Sequence, residues 1–591
     1  MIVKIKKILA HILALFFVMF LPMLAYSADL TAEQQGNKQH DLLRSRHNEQ
    51  QKNQKHLEEK KHRERKNLEI DLAPLMSPRE EKGGACFPIK NLLLAGATKI
   101  EREKQAAFEL EAREKCLDAA SIKMLIYNIT RYYHDAGFVA AFIEIPPQKL
   151  QQETLTLNVI EGEIEEIRWE KEEYGNALEI KTAFPFLENK ILNLREIEQG
   201  LDQLNRLPSN HVTMQLLPGS SKGKTIILLK NEREKTLRAN FSYSNSGQKA
   251  TGERMATMRL EKDNFLNLND NFSFTQGRDM DGERWDKNMK YYSFDWSVPF
   301  GDWRFSLESE RSDYHTTFEN GGIKYGSDGN SGANIARVEK MLFRNKTHKL
   351  NSQFQIANYE SENYQNGFKL SAADRSFTNL YWGLEHTWYY KDSIVSSDFQ
   401  WTKGTKLFDA YRDPNDLTFD SAKAQFDKLN ANLDFSKPLK KWDSGDSFDY
   451  LGSLRAQISN DTLYGNERLV LGSISAVRGF KEQTILGDSG YFFRNDFNYT
   501  IPVSWSDARL LPIFGNAIQT FAGIDGGYVR VQGGKPYNFG EGEGYMSGAG
   551  LGVRNLGGRV NFEMRYDRPI RAPKFIHKEN HELYVNIGVG F

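Results

Sequence analysis

Few side chains in this sequence have the type and spacing that covalent or metal chemistry needs. Cys86 and Cys116 are the only two thiols. They would form a disulfide in an oxidising compartment, or remain as two buried free thiols in a reducing one. His40, His47, His56 and His62 recur along one polar stretch, but without cysteines or ligand-type spacing they read as solvated side chains. Gly219-Ser220-Ser221-Lys222-Gly223-Lys224-Thr225 looks like a phosphate-binding loop. It has one residue too few between its glycines and precedes a strand pattern rather than a helix, so it reads as a turn with no ATP chemistry. No Gly-x-Ser-x-Gly stands between a strand and a helix as a nucleophile elbow must, and there is no compelling metal cluster, which speaks against a lipase-type enzyme. No catalytic residue, cofactor or metal is therefore assigned. What remains are charged side chains whose meaning depends on the elements that hold them.

Those elements must be inferred from an average that misleads. The 591 residues carry 78 Lys+Arg against 78 Asp+Glu, with 39% hydrophobic and 12% aromatic residues and a mean hydropathy of -0.60. A bundle of membrane helices is excluded, because each span needs about 20 mostly apolar residues and only the first 27 positions hold such a run. Wholesale disorder is excluded by the aromatic content, and a neutral net charge argues against a nucleic-acid partner. Lys4, Lys6 and Lys7, an apolar stretch over residues 8–25 and Ala25-Tyr26-Ser27 make residues 1–27 a secretory signal peptide; an uncleaved anchor helix is the alternative. Export makes pairing of Cys86 with Cys116 the expected outcome. Residues 31–70 hold ten Lys/Arg and seven Asp/Glu with few large apolar side chains. A helix polar on every side is expected over residues 28–72, solvated or housed in a polar cavity, with a floppy linker as the alternative and further linker over 73–85.

Two small α+β units follow, at residues 86–169 and 170–235. In the first, Ile122, Leu125, Ile126 and Ile129 recur at helical spacing, Gly137 stops the helix, and residues 140–145 and 155–160 alternate as strands. In the second, Leu194, Ile197, Leu201 and Leu204 form a helix stripe, and residues 212–216 and 225–229 close a hairpin around Pro218-Gly219. Residues 236–591 alternate in short segments. Tyr292, Phe294, Trp296, Val298 and Phe300 interleave with Ser293, Asp295 and Ser297; after Gly301-Asp302, Trp303, Phe305 and Leu307 interleave with Arg304, Ser306 and Glu308. Aromatics on one face and charges on the other, with aromatics at segment ends, fit an all-β transmembrane barrel with lipid outside and water inside. At roughly 20 to 25 residues per strand and connection, about 14 to 18 strands are expected. The last of them places Leu583, Val585, Ile587, Val589 and Phe591 on one face.

Certain stretches carry a family resemblance. They are Cys86-Phe87-Pro88-Ile89, Gly137-Phe138, Pro146-Pro147-Gln148 and Val159-Ile160-Glu161-Gly162 in the first unit, and Ala183-Phe184-Pro185, residues 192–206, Pro208-Ser209 and Pro218-Gly219 in the second. These resemble POTRA domains, as paired in the TpsB outer-membrane transporters of two-partner secretion, within the Omp85 superfamily. The resemblance implies a barrel of 16 antiparallel strands, a plug role for the N-terminal helix, and a sixth loop folded inward around residues 470–490. Val477-Arg478-Gly479-Phe480 resembles that loop's signature. Asp525, in Phe521-Ala522-Gly523-Ile524-Asp525-Gly526-Gly527, resembles the barrel-wall acid that meets it, and a bidentate pair would pin loop to wall. The aromatic usual two residues before this acid is replaced by Gly523, with Phe521 displaced. Phe591 resembles the terminal signal read by the barrel-assembly machinery.

The function so implied is export of a large TpsA-type exoprotein across the outer membrane without ATP, with the POTRA strand edges binding the partner in the periplasm. The module motifs and paired cysteines resemble the haemolysin-activator and CdiB-type subgroup, which makes a CdiA-type contact-dependent inhibition toxin or a haemolysin the expected cargo. An adhesin exporter and an Omp85 assembly factor are the alternatives. A monomer in outer-membrane lipid is expected.

Overall fold

The computed structural model describes residues 86–113, 115–281, 287–320, 323–370, 374–418, 421–503, 510–532, 543–576, 578 and 580–591. The expected signal peptide (1–27), plug helix (28–72) and linker (73–85) lie outside the described residues.

In the first module, Asp118 caps the helix Ala119–Asp135 by accepting from the Ser121 amide at 2.8 Å. Gly137, at φ +98°, lets the chain leave it. The helix buries Ile122, Leu125, Ile129 and Tyr133 against the strands Asn91–Ala95 and Thr154–Ile160, which pair in parallel, with Phe142–Glu144 antiparallel on the far side of the latter. The Cys86 and Cys116 sulfurs are bonded, with Cα atoms 5.2 Å apart. They clip the short pair Phe87–Ile89 and Lys115–Leu117 beside the helices Arg102–Ala112 and Ala119–Asp135.

The second module begins earlier than its helix pattern suggests. Strand Glu163–Trp169 pairs in parallel with Lys224–Asn231, which also pairs with Val212–Pro218. Ile164, Ile167 and Trp169 are buried with Ile197, Leu201 and Leu204 of the helix Leu194–Asn205. The expected boundary at 169/170 is thus corrected to about 162/163. A lone alternating strand reads the same whichever sheet it joins, and here the partner lies some sixty residues downstream.

Glu161 stands at that junction, buried and accepting from the Thr98 amide (2.5 Å), the Lys99 amide (2.8 Å) and the Tyr133 hydroxyl (2.7 Å). Burial alone would raise its pKa, but the hydrogen bonds from Thr98, Tyr133 and Lys99 outweigh it and hold the carboxyl below its usual range. Gly219 to Gly223 form the hairpin turn, with Lys224 and Thr225 opening the following strand, and the Ser220 amide donates to Glu165 at 2.7 Å. A carboxylate already occupies a direction that a phosphate would need.

Sixteen antiparallel strands then close on themselves as a barrel, the last (Glu582–Gly590) pairing with the first (Leu237–Ser244). Alternation turns Asn271, Ser273, Asp295 and Ser297 to a polar lumen, with a cavity of about 1520 Å³, and leaves Phe399, Ile458, Leu551 and Leu583 exposed on the outer wall. Phe591 also faces outward, its ring 6.3 Å from that of Phe241, while its amide and carbonyl bond Ala239. The strands are unequal: the first three run 8 to 9 residues, the sixth (Ile323–Arg344) runs 22.

Candidate functional site

Residues 460–488 join the eleventh strand (Ser447–Ser459) to the twelfth (Ser489–Pro502) and fold into the barrel. Their limbs pair as a hairpin, Leu469–Gly472 with Thr484–Gly487, and Arg468, Leu469, Val470, Ser473 and Ser475 line the lumen cavity. Gly472 and Ser473 have positive φ (+99° and +66°), which turns the chain into one helical turn, Ser473–Ala476. Val477, Arg478 and Phe480 follow, all essentially without solvent exposure. Val477 and Phe480 pack with Leu471, Ile485, Phe492, Val529 and Met546, so an apolar cluster seats the charged residue between them.

Arg478 meets two wall acids. Its amide donates to Asp525 Oδ2 at 3.1 Å, its Nε lies 3.3 Å from the same oxygen, and its Nη2 donates to Asp496 Oδ1 at 2.5 Å. The expected bidentate pair with Asp525 is therefore corrected: the guanidinium is divided between a carboxylate on the thirteenth strand (Ala517–Arg530) and one on the twelfth. Registry explains this, because Asp525 pairs with Arg494 and Gly523 with Asp496, setting both acids on adjoining lumen positions. Arg494 completes the group, 3.8 Å from Asp525 and donating to the carbonyls of Ile474 (3.0 Å) and Ser475 (2.7 Å). Two buried guanidiniums thus face two carboxylates, which balances the charge in a site poorly served by water.

Glycines make the room. A Cβ on Gly523 would run into the Arg478 guanidinium, one on Gly548 into the Arg478 carbonyl, and one on Gly479, at φ +81°, into the backbone at Arg568 and Pro569. Gly523 thus gives its space to the arginine itself. Phe521 points into the lumen four residues before Asp525 and lies under Arg554, whose guanidinium carbon is 5.3 Å from the ring centroid.

Two further ties hold the loop. At its base, buried Glu467 pairs with Lys428 at 2.8 Å and accepts from Asn379 at 3.1 Å, while Arg468 pairs with Asp488 at 2.9 Å. At its shoulder, the Lys481 ammonium meets Glu253 at 2.6 Å and its amide donates to Glu582 at 2.5 Å. Sequence reasoning missed Asp496, Arg494, Glu467 and Lys428. Arg494 and Asp496 do stand two apart on an alternating segment, which marks them as lumen-facing but does not name their partner.

This arrangement has relatives. The model of the haemolysin secretion/activation protein family ShlB/FhaC/HecB matches residues 223–555, a ShlB-type POTRA model matches 87–162 and a second POTRA model matches 163–218. The chain belongs to the ShlB/FhaC/HecB family. It is 28% identical over 555 residues to the outer membrane transporter CdiB of Dickeya dadantii, covering 92% of this chain and 94% of that one. It is 27% identical over 482 residues to the haemolysin transporter HpmB of Proteus mirabilis, covering 81% and 82%. The solved structure of CdiB from Escherichia coli superposes with a TM-score of 0.83 at 26% identity, covering 95% of this chain and all of that one. As a ShlB/FhaC/HecB-family two-partner-secretion transporter, the protein sits in the outer membrane with its POTRA modules in the periplasm.

In this member of the family the second module is fastened to the barrel's periplasmic end. Glu179 pairs with Arg233 at 2.7 Å and accepts from Asn264 at 2.7 Å; Arg206 donates to Ser297 at 2.8 Å; Gln203 donates to the Gly301 carbonyl at 2.9 Å. Asp202 accepts from Arg344 (2.6 Å) and Lys349 (2.7 Å). Burial opposes its ionisation, but the two cations win and bring its pKa down to about 2.

Proposed function

We propose that this protein exports one large exoprotein through its barrel without ATP, the cargo being a CdiA-type contact-dependent inhibition toxin or a haemolysin. The observation that carries this reading is Arg478, buried on a loop inside a polar lumen between Asp525 and Asp496. An ion-paired loop in a conduit is a closed state that can be released, which a passive pore does not need. The POTRA modules would bind an unfolded segment of the cargo by adding it as a strand to an edge such as Val212–Pro218, which pairs on one side only. Releasing the loop and a plug formed by residues 28–72 would open the path, and cargo folding outside would supply direction. The relatives named CdiB support the toxin as cargo. Phe591 would serve as the signal for the barrel-assembly machinery, and the transporter would work as a monomer in outer-membrane lipid.

The test is secretion of a CdiA-type or haemolysin exoprotein co-expressed with this chain, in cells carrying wild type or Arg478→Ala. Export by wild type and none by an Arg478→Ala barrel that is still inserted is the expected result; normal export by the variant would overturn the loop's role. Deleting residues 31–70 is expected to raise single-channel conductance in planar bilayers, and an unchanged conductance would remove the plug from the mechanism.

A further inference from the structure

Phe186 belongs to a water-soluble module, yet its side chain is 54% exposed. Its backbone is left-handed, at φ +63°, a conformation that bulky residues avoid. Its neighbours Phe184 and Leu187 are buried in the module core, so the turn presents this one ring outward.

The placement of the module gives the ring a destination. The Gly301 amide donates to the Thr182 carbonyl at 2.7 Å, and a Cβ on Gly301 would press on Pro185. The periplasmic turn 301–302 therefore passes directly against the segment that carries Phe186. Its ring lies 6.2 Å, edge to face, from Phe300 at the foot of the fourth strand (Lys287–Phe300). Phe300 shares its strand face with Phe294, opposite the lumen-facing Asp295 and Ser297. On the neighbouring strand Phe300 pairs in register with the exposed Trp303, whose ring stacks 6.5 Å from Phe305 and over which Lys340 Nζ lies at 4.7 Å. Aromatics backed by a lysine at a strand end are the pattern of a membrane interface, where rings sit at headgroup level and cations meet lipid phosphate.

We propose that Phe186 is a lipid contact: the second POTRA module inserts this ring into the periplasmic leaflet of the outer membrane, extending the barrel's aromatic belt onto a soluble domain. The occupant is phospholipid rather than exported chain, because the ring is continuous with a surface that already faces the bilayer. The contact holds the module, and with it the edge Val212–Pro218, at a fixed tilt to the membrane.

The two native cysteines are bonded to each other, so a cysteine introduced into the full-length protein is its single free thiol. Phe186→Cys, labelled with a nitrobenzoxadiazole dye, would be placed in phosphatidylethanolamine/phosphatidylglycerol vesicles containing a lipid with a nitroxide near its headgroup. Quenching is expected several-fold above that of the same label at Leu110→Cys, a 72% exposed site on the first module. Equal quenching at the two sites overturns the proposal. Incorporation of p-benzoylphenylalanine at position 186 in cells tests it independently. A phospholipid adduct on illumination supports it, and an adduct with a periplasmic or exported protein in its place overturns it.

Discussion

Asp525→Asn keeps the shape of the wall residue and removes its charge. Asp525 Oδ2 lies 3.3 Å from Arg478 and 3.8 Å from Arg494, so the substitution leaves two buried guanidiniums sharing Asp496. Removing one partner of a buried pair costs about 3–5 kcal/mol, and Arg478 keeps its 2.5 Å contact to Asp496, so the low end, about 3 kcal/mol, is expected here. At roughly 1.4 kcal/mol per decade this multiplies the undocked population of the loop by about 100. The readout is a thiol at Val477, which has no exposure in the docked loop and whose replacement by cysteine is conservative. In intact cells, a membrane-impermeant maleimide should label Val477→Cys about 100 times faster when Asp525→Asn is added, if opening and closing are fast relative to labelling. Asp496, with 24% of its side chain exposed and a single contact to Arg478, should matter less, giving about a tenfold effect in Asp496→Asn for a loss of about 1.5 kcal/mol. An unchanged rate in Asp525→Asn, or a larger effect from Asp496→Asn, would refute the assignment of Asp525 as the principal anchor.

Other expectations follow from the same contacts. Cys86→Ser opens a clip that closes 30 residues of separation and should lower the first module's stability by about 3–4 kcal/mol, read by hydrogen exchange on the helix Ala119–Asp135. Glu161 has a depressed pKa, so its contribution is complete above the unfolded carboxyl value and is lost as pH falls through the folded one. Glu161→Gln should destabilise the module at neutral pH by about 2–3 kcal/mol and flatten the acid limb of its stability curve, measured by denaturant unfolding from pH 7 to pH 3. Glu467→Lys should raise the labelling rate at Val477→Cys as Asp525→Asn does, and adding Lys428→Glu should restore it in part, because the swap returns a 2.8 Å pair of opposite charges.

Much of the fold was legible because its signals are periodic. Period-two alternation with charges on one face is a property of each barrel strand alone, so the membrane wall and a barrel of about 14 to 18 strands could be read without knowing any pairing, while the figure of sixteen came from the family resemblance. The helix stripes Ile122 to Ile129 and Leu194 to Leu204 were legible for the same reason. What escaped depends on registry between distant segments. Glu163–Trp169 was assigned to the wrong module because alternation does not say which sheet a strand joins. Asp496 and Lys428 escaped because a water-filled barrel turns many charges inward, and only pairing in space picks out the two that a loop residue reaches. The role of Gly523 was visible only as a departure from a familiar pattern. Its reason, a guanidinium lying where a Cβ would be, is a fact of three dimensions.

The glycines around Arg478 limit how this transporter can change. A larger residue at position 523, 548 or 479 must displace either the arginine or the backbone that carries it, so single substitutions there act as disruptions rather than adjustments. The carboxylates, by contrast, can be altered in charge at nearly constant volume. Variation in how readily the loop releases is therefore open at the acids and closed at the glycines, and a graded series of gating mutants should be sought at Asp496, Asp525 and Glu467.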